Sequence, residues 1–373
     1  MTYIVLLPII PLLILCINLL TWNRPMEPAS FSDTRVSVLI PVRNEEMNVE
    51  TCIDHIYAGH HAPFEVIVYN DNSTDRTSTI LNGLKERYPS LRVLQGGPLP
   101  QGWAGKNHAC HHLSLHAKGD VLLFIDADTT IQPDGIGHLL NAVESERLPS
   151  DMVSALPKQV MNTWGEKMLM PFLPLTILAW LPLEFVRRFP FPSMTVAIGQ
   201  VLMIRREAYK TSGGYEAIPA ELVDDMALAT RFKNLGLTVR FIDGFEIAHC
   251  RMYDSFQAIW NGFSKNMFLG VRQVIPLWLF AICLYTTCFI IPFILLACTP
   301  FLSAELQLLT FVSVGFNFAI RWLMVFRYSH PLIHTFLHPI AAIIVVGIFI
   351  NSGIQTLLGT VKWKGRTYDN ANI

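Results

Sequence analysis

Two aspartates separated by one residue follow a short apolar run in the first half of the chain. Asp126 and Asp128 come directly after Val-Leu-Leu-Phe-Ile, a run without alternation that is typical of a strand buried on both faces of a parallel sheet. Ligands of such sheets bind outside the carboxyl ends of the strands. Residues two apart on a strand point the same way, so both carboxylates should face one small volume. A carboxylate pair of this kind suits Mg2+ or Mn2+, which prefer oxygen ligands and keep positions open for substrate phosphates.

A solvated turn after a strand would also explain an Asp-x-Asp sequence, and the neighbouring strands help to choose between the two interpretations. Three more apolar runs alternate with helical stretches, at 36–40, 65–69 and 92–94. The alternation predicts a doubly wound, mostly parallel α/β sheet, with its first strand broken at Pro41. A ligand at the carboxyl edge of this sheet would meet Asn44, Asp71 and Asp128 together, which favours a binding site.

The loop at 102–107 is a candidate phosphate contact. It is not a P-loop, because Pro100 stands where glycine is needed and Asn107 where Ser or Thr is needed, and no Gly-x-Gly-x-x-Gly occurs in the chain. Lys106 and the backbone N–H groups of a helix start still favour an anion. Histidines follow on that helix at positions 108, 111, 112 and 116. Their i,i+4 spacing could hold zinc, but no carboxylate or thiolate ligand is clearly placed with them, and a polar helix surface is favoured.

A second acidic group, Glu-Leu-Val-Asp-Asp-Met at 221–226, opens an amphipathic helix that ends near Gly236. Acids in the first turn suit the helix macrodipole, which is one explanation of the three acids Glu221, Asp224 and Asp225. The other explanation is that one of them is a base that faces the sheet. Further along, the segment 260–265 combines aromatic side chains with the cation Lys265.

The composition predicts membrane segments joined to a soluble domain. Of 373 residues, 51% are hydrophobic and only 15% are charged, and a formal net charge of −1 gives no reason to expect nucleic acid as a partner. The seven scattered cysteines are expected to be reduced. Four stretches are long and apolar enough to cross a bilayer, at 3–20, 274–298, 306–326 and 333–358. Arg321 is the one clear charge inside them, which argues against a transporter.

Basic residues set the expected orientation in the membrane. Arg24 is the first charge after the amino-terminal stretch, so the positive-inside rule places the amino terminus outside the cell membrane and the catalytic domain in the cytosol. The proline-containing stretch 168–183 is short for a span and precedes Arg187 and Arg188, so we expect an interface helix. Four crossings would leave the basic tail outside, against the same rule, and the sequence leaves the side of the tail open.

These assignments divide the chain into four parts. They are an amino-terminal transmembrane anchor, a cytosolic catalytic domain, a carboxyl-terminal transmembrane region and a tail, at 1–23, 24–272, 273–360 and 361–373.

Five motifs, in their order along the chain, resemble family 2 glycosyltransferases with the GT-A nucleotide-sugar fold. The motifs are Pro41-Val-Arg-Asn-Glu-Glu46, Asn70-Asp-Asn-Ser-Thr-Asp75, Asp126-Ala-Asp128, Gly213-Gly214 and Val223-Asp-Asp225. The resemblance covers about residues 36–272. Within the family, the segments most similar to membrane glycosyltransferases that glucosylate a C30 carotenoid acid are 105–110, 249–253, 260–265 and 363–366. Processive members carry Gln-x-x-Arg-Trp near 260–265, and its absence here argues against a polymer synthase.

The resemblance implies a role for each motif. The residues assigned to the nucleotide base and ribose are Pro41, Arg43, Glu45 and Asp71. Asp126 would lie near the ribose and diphosphate, and Asp128 would hold Mg2+ or Mn2+. Asp225 would be the general base, with Asp224 as the alternative.

Charge and stereochemistry complete the expected reaction. Lys106 or Lys265 would stabilise the leaving diphosphate, and a single displacement by the acceptor would invert the sugar. UDP-glucose is the expected nucleotide sugar, and a C30 carotenoid acid is the expected lipid acceptor. Hopanoid, diacylglycerol and polyprenyl phosphate are alternative acceptors, and an inactive membrane interaction protein or a transporter is the alternative of another class.

Overall fold

The computed structural model describes residues 2–22, 33–145, 148–189, 191–192, 194–271, 273–363 and 366–368. Expectations for Arg24, for residue 272, for Lys364 and for the tail at 369–373 fall outside this range. The chain forms two compact units. The sheet unit contains residues 33–160 and 185–252, and the helical unit contains residues 2–22, 161–184 and 253–368.

The strands are β1 (Val36–Val42), β2 (Glu65–Asn70), β3 (Leu91–Gln95), β4 (Val121–Ile125), β5 (Thr129–Ile131), β6 (Met152–Gln159), β7 (Val201–Arg205), β8 (Val239–Cys250), β9 (Val361–Trp363) and β10 (Arg366–Tyr368). The α-helices are α1 (Ile9–Thr21), α2 (Val49–Tyr57), α3 (Thr77–Arg87), α4 (Gly105–His116), α5 (Gly135–Glu144), α6 (Trp164–Leu169), α7 (Phe172–Trp180), α8 (Leu183–Arg188), α9 (Arg206–Ser212), α10 (Asp224–Asn234), α11 (Phe256–Gly270), α12 (Ile275–Phe289), α13 (Ile291–Ala297), α14 (Ala304–Tyr328) and α15 (His338–Leu357). Short 3-10 helices lie at Thr2–Leu6, Gly214–Ala217, Thr299–Phe301 and Leu332–Leu337.

An eight-stranded sheet forms the sheet unit, in the order β3-β2-β1-β4-β7-β6-β8-β5. The strands β3, β2, β1 and β4 are parallel, and β7 is antiparallel to both β4 and β6. The strands β6 and β8 are parallel, and β5 is antiparallel at the edge. The predicted α/β sheet, mostly parallel, is confirmed.

Helices cover both faces of this sheet. On one face, Val38 and Leu123 pack with α2, α3 and α5; on the other, Leu39 and Phe124 pack with α4, α9 and α10. Neighbouring residues of one strand thus belong to two different cores. This explains the apolar runs without alternation from which the sheet was predicted.

The predicted break of the first strand at Pro41 is wrong. The strand β1 continues through Pro41 to Val42, whose carbonyl accepts a hydrogen bond from the N–H of Asp71 at 2.8 Å. Pro41 lies opposite Tyr69 of β2. Because the two strands stay paired to this point, the loops that follow them leave the sheet side by side.

The helical unit contains four segments long and apolar enough to cross a membrane, by length and composition. They are Tyr3–Thr21, Ile275–Ala297, Ala304–Tyr328 and Leu332–Leu357. They correspond to the four predicted stretches. The second is broken at Ile290, directly before the Pro292 turn of α13, as expected for a proline.

The stretch 168–183, predicted as one interface helix, contains the end of α6, all of α7 and the start of α8, with prolines between them. Asn18 of α1 is fully buried against it. The Asn18 amide donates to the carbonyl of Leu178 at 2.7 Å and accepts from the N–H of Leu183 at 2.9 Å. These bonds explain a polar residue in an apolar helix. The position of the stretch at a membrane interface stays a prediction.

Candidate active site

The carboxyl ends of β1 and β2 bring Arg43 and Asp71 together. Arg43 Nη1 donates to the main-chain oxygen of Asp71 at 2.9 Å and lies 3.6 Å from its carboxylate Oδ2. Asp71 is buried. Glu45 lies on the turn after Arg43, where its Oε2 accepts from Asn48 Nδ2 at 2.8 Å. Three of the four residues predicted to contact the nucleotide therefore follow β1 and β2 directly, and Pro41 lies within β1.

The loops after β1 and β2 are joined by hydrogen bonds of Asn44. Its N–H donates to Ser73 Oγ at 3.0 Å, and its Oδ1 accepts from the N–H of Thr74 at 2.8 Å. The backbone of Asn44 has a φ of 54°, a left-handed conformation that Asn tolerates better than most residues. The polar groups of Arg43 and Asp71 are thus held on one connected edge.

Lys106 lies in the first turn of α4 and contacts carboxylates from two other elements. Its Nζ is 2.7 Å from Asp126 Oδ1, after β4, and 3.8 Å from Asp224 Oδ2, in the first turn of α10. Burial alone would lower the pKa of Lys106, but the charges of Asp126 and Asp224 outweigh burial and raise that pKa well above its usual range. Lys106 is therefore a permanent cation at this edge of the sheet.

Asp225, the predicted base, accepts two backbone hydrogen bonds. Gly199 N–H donates to Oδ2 and Met226 N–H donates to Oδ1, each at 2.7 Å. Burial, and then the neighbouring charge of Asp224, raise the pKa of Asp225 to about 6, against the opposing effects of Lys106 and the two N–H groups. A carboxylate with a pKa near 6 is a competent proton acceptor at neutral pH.

Gly199 lies at the candidate site, and the sequence did not single it out. A Cβ at this position would lie 3.0 Å from Lys106 Nζ and 3.5 Å from Asp225 Oδ2. The next residue, Gln200, accepts at its carbonyl from the N–H of Asp126 at 3.3 Å. Gly199 and Gln200 precede β7. The sequence did not predict that this strand runs antiparallel to its neighbours. The available signal was a glycine just before a strand, which can mark a close approach of backbone to another group.

Asp128 lies directly before β5 and accepts hydrogen bonds from one residue of β5 and one residue of β8. Its Oδ1 accepts from Thr129 Oγ1 at 3.1 Å and from Cys250 Sγ at 3.5 Å. Burial, and then the charge of Asp128, raise the pKa of the Cys250 thiol well above its usual range, so Cys250 is a neutral donor. The pairing of Thr129 with Cys250 across β5 and β8 places this thiol, and periodicity alone did not reveal it.

The donor set around Asp128 fits a metal ion that arrives with a diphosphate. Across the described residues there is no group of three or more His, Cys, Asp or Glu side chains able to enclose an ion. Asp126 is paired with Lys106, and Asp128 as the ligand of a metal stays a prediction. Mg2+ commonly binds through one or two carboxylates together with substrate phosphates, so a single protein carboxylate meets the requirement.

The pairing of β1 with β4 brings the predicted site residues to one edge of the sheet. The two strands are parallel neighbours, so the loops that follow them leave from the same edge. Burial raises the pKa of the Cys52 thiol on α2, and the charges of Asp128, Glu45 and Asp126 raise it further. The residues predicted to contact the nucleotide therefore lie at the same edge as the Asp-x-Asp pair.

Residues 37–213 match the family described as Glycosyl transferase family 2. This chain carries a family 2 glycosyltransferase domain. The 4,4'-diaponeurosporenoate glycosyltransferase of Staphylococcus aureus strain USA300 is 26% identical to this glycosyltransferase over 353 residues, which is 91% of this chain and 89% of that protein. The enzyme of the same description from strain MRSA252 matches with the same identity and coverage.

A solved structure supports the fold of this glycosyltransferase along nearly its whole length. The mannosyltransferase PcManGT from Pyrobaculum calidifontis, determined with GDP-Man and Mn2+, superposes with a TM-score of 0.56 over 95% of this chain and 99% of that one. The sequence identity is 15%, so the similarity concerns the fold. It confirms a GT-A type sheet together with apolar terminal helices.

Two further predictions for the glycosyltransferase concern Lys265 and the histidines of α4. Lys265 lies on α11 in the helical unit, and its contact with a leaving diphosphate stays a prediction. The expectation of a polar helix surface is wrong at His108, which is 7% exposed, with Nε2 3.1 Å from His112 Nε2. These histidines line a cavity of about 430 Å3 beside Tyr69.

Proposed function

We propose that this glycosyltransferase transfers glucose from UDP-glucose to a C30 carotenoid acid, with inversion, to give a glycosyl ester. The observation that carries the chemistry is the Lys106 ammonium between Asp126 and Asp224, with Asp225 beside them at the same edge. The similarity to diaponeurosporenoate glycosyltransferases over 91% of the chain supports the acceptor. Hopanoid, diacylglycerol and polyprenyl phosphate are the rival acceptors.

The nucleotide binds at the carboxyl ends of β1 and β2. Asp71 and Glu45 offer carboxylate acceptors for ribose and base, and Arg43 is held against Asp71 by two contacts. Pro41 shapes the end of β1 where the base rests. The parallel pairing of β1 with β2 supports this assignment, because it sends both loops to the same side.

Lys106 stabilises the charge that develops on the diphosphate as the sugar leaves. The Lys106 side chain is 34% exposed, so we expect a diphosphate oxygen to share its ammonium with Asp126. Preorganised cations of this kind typically contribute about 10² to 10³ in rate. Mg2+ or Mn2+ held by Asp128 would supply further positive charge at the diphosphate. Lys265 remains our second candidate for the same anion.

Asp225 orients the acceptor. When the acceptor is an alcohol, Asp225 also accepts the proton of its hydroxyl group. An alcohol needs a base during attack, whereas a carotenoid acid, with a reference pKa of about 4, is already ionised at neutral pH. Attack from the side opposite the leaving diphosphate inverts the anomeric carbon. Asp224 is the alternative base, although its Oδ2 already meets Lys106 and the hydroxyl of Tyr215.

The membrane delivers the lipid acceptor. Four segments are long and apolar enough to span the bilayer, and we place the catalytic domain, 24–272, in the cytosol between the anchor at 1–23 and the spans within 273–360. The stretch 168–183 lies at the membrane interface as the entry for the acceptor. Its large apolar content supports this location.

Lipid analysis of cells that express the full chain tests this proposal. Cells supplied with a C30 carotenoid acid should accumulate its hexosyl ester, identified by mass spectrometry and by cleavage with hydroxylamine, which attacks esters. Cells that express the Asp225→Asn, Asp128→Asn double variant are the control. Accumulation of a glycosylated hopanoid, diacylglycerol or polyprenyl phosphate in place of the ester would contradict the acceptor.

A further inference from the structure

Arg321 is fully buried inside the span Ala304–Tyr328, about two turns before its carboxyl end. Among the residues that the structure describes, none accepts a hydrogen bond from its Nε, Nη1 or Nη2. Glu166 is a buried carboxylate of the helical unit, and it is engaged elsewhere: it accepts from the N–H of Asn162 at 2.6 Å and from Thr163 Oγ1 at 2.8 Å. The guanidinium therefore lacks an anion within the described chain.

The groups around Arg321 are aromatic or neutral. Its Cζ lies 5.7 Å from the ring centre of Phe172, and Phe172 stacks on His338 with ring centres 5.4 Å apart. The charge of Arg321 also acts on His334 and His338. Thr335 is buried on the 3-10 helix that packs on α14, and its hydroxyl has no hydrogen-bond partner among the described residues.

Burial of an unpaired guanidinium is strongly unfavourable. One aromatic face does not replace the five N–H bonds that the group loses when it leaves water. Charged residues within spans normally face a partner, a water-filled cavity or a ligand, and they mark functional sites. The planar fork of arginine is suited to a carboxylate or a phosphate, which it binds through two parallel bonds.

We propose that Arg321, with the hydroxyl of Thr335, binds the anionic group of a membrane lipid. The outer faces of the same segments are apolar and exposed, at Phe326 and Phe336. A free inorganic anion would have to cross this apolar layer, whereas a lipid carries its carboxylate or phosphate there with its chains in the bilayer. The site is independent of the acceptor proposed above, and its failure would leave that proposal untouched.

Thermal unfolding of the full-length protein tests the site. The protein is purified in an uncharged sugar detergent, stripped of lipid and titrated separately with oleate, with phosphatidylglycerol and with uncharged diacylglycerol. The variants are Arg321→Met, Arg321→Lys and, as a matched control from the last turn of the same helix, Arg327→Gln. A ligand that binds the folded state raises the unfolding temperature, so each titration yields an apparent affinity.

The wild type and Arg327→Gln should be stabilised by an anionic lipid and not by diacylglycerol. Stabilisation by oleate alone would show that the site binds a carboxylate. Stabilisation by phosphatidylglycerol alone would show that it binds a phosphate. Stabilisation by both would show that it recognises the negative charge that the two groups share. Arg321→Met should be more stable than the wild type without lipid, because it removes an unpaired buried charge, and its affinity should fall at least tenfold. Arg321→Lys keeps the positive charge but lacks the planar guanidinium that forms two parallel hydrogen bonds. It should therefore bind the anionic lipid at least tenfold more weakly than the wild type.

Three results would overturn the site. They are an equal response of the wild type to diacylglycerol, no response of the wild type to either anionic lipid, and an unchanged affinity in Arg321→Met. If Arg321→Met fails to fold, an unchanged affinity in Arg321→Lys overturns it instead.

Discussion

Lys106 Nζ lies 2.7 Å from Asp126 Oδ1, which joins the first turn of α4 to the carboxyl end of β4. The same ammonium is 3.8 Å from Asp224 at the start of α10. One cation thus holds together carboxylates from two motifs that are about a hundred residues apart in the sequence. Its removal would leave Asp126, Asp224 and Asp225 to repel one another.

Lys106→Met should lower the transfer rate and move its pH dependence. Lys106 lowers the pKa of Asp225, so its loss should raise that pKa above about 6 and shift the acidic limb of the activity profile to higher pH. Loss of a preorganised cation should cost about 10² to 10³ in rate. The measurement is the pH profile of transfer to an alcohol acceptor.

Lys210→Met is the control for this change, because Lys210 forms an exposed ion pair with Glu207 at 2.9 Å. An acidic limb that stays at the wild-type position in Lys106→Met would show that Lys106 does not act on the base.

Asp225→Asn should affect different acceptors unequally. With an alcohol, wild-type activity should fall as pH decreases through about 6, because Asp225 takes up a proton there. The variant should no longer show this decrease of activity at acidic pH, and its rate should be lower than that of the wild type by a factor of about 10² to 10⁴. With a carotenoid acid the loss should be much smaller, because that acceptor needs no base.

Single-turnover rates with the acid and with its alcohol analogue measure the difference. Glu221→Gln, an exposed acid just before the same helix, is the matched control. An equal loss above about 10³ on both substrates would mean that Asp225 positions the donor or supports α10, and the base would have to be Asp224.

Asp128→Asn should abolish metal-dependent activity without unfolding the protein. Asp128 lies at the start of an edge strand, half-buried, so we expect a change of less than about 1 kcal/mol in stability. Loss of a metal ligand should reduce the rate by about 10² or more. Turnover and thermal unfolding are measured over a titration with Mg2+ and with Mn2+.

Asp134→Asn serves as the control, since Asp134 pairs with His60 at the surface. Wild-type turnover by Asp128→Asn at saturating metal would exclude Asp128 as the ligand.

Gly199→Ala should reduce activity by displacing the Lys106 ammonium. The new methyl would lie 3.0 Å from Lys106 Nζ, which must shift by a few tenths of an ångström, and in ordinary contact, 3.5 Å, with Asp225 Oδ2. Misplacement of about 1 Å can cost about 10² in rate. Gly83→Ala meets no atom within 4 Å and is the control. Full activity of Gly199→Ala would show that the close approach has no role.

The parallel half of the sheet could be predicted from the sequence, and its antiparallel half could not. Runs such as 121–125 have no alternation because neighbouring residues enter two separate cores, and this is readable from the residues alone. Strand direction leaves no trace in periodicity. The insertion of β7 between β4 and β6 was therefore missed, and with it the place of Gly199 beside Asp225.

Site residues that follow parallel strands could be predicted from the sequence. Contacts between residues of different strands or helices could not. Asp71 and Asp128 were identified because each comes directly after a predicted strand or close to one. Cys250 was not, since its contact with Asp128 depends on the pairing of β5 with β8. The ion pair of Lys106 with Asp126 depends on the packing of α4 over β1 and β2, beside β4, which spacing does not encode.

The measurement that tests the central proposal most directly is the reaction of purified full-length protein with UDP-glucose and a C30 carotenoid acid. Products are identified by mass spectrometry before and after hydroxylamine, and the anomeric configuration is determined by NMR. We expect a β-glucosyl ester that hydroxylamine cleaves and whose formation depends on Mg2+ or Mn2+. Free glucose as the sole product, or a glycoside that resists hydroxylamine, would contradict it.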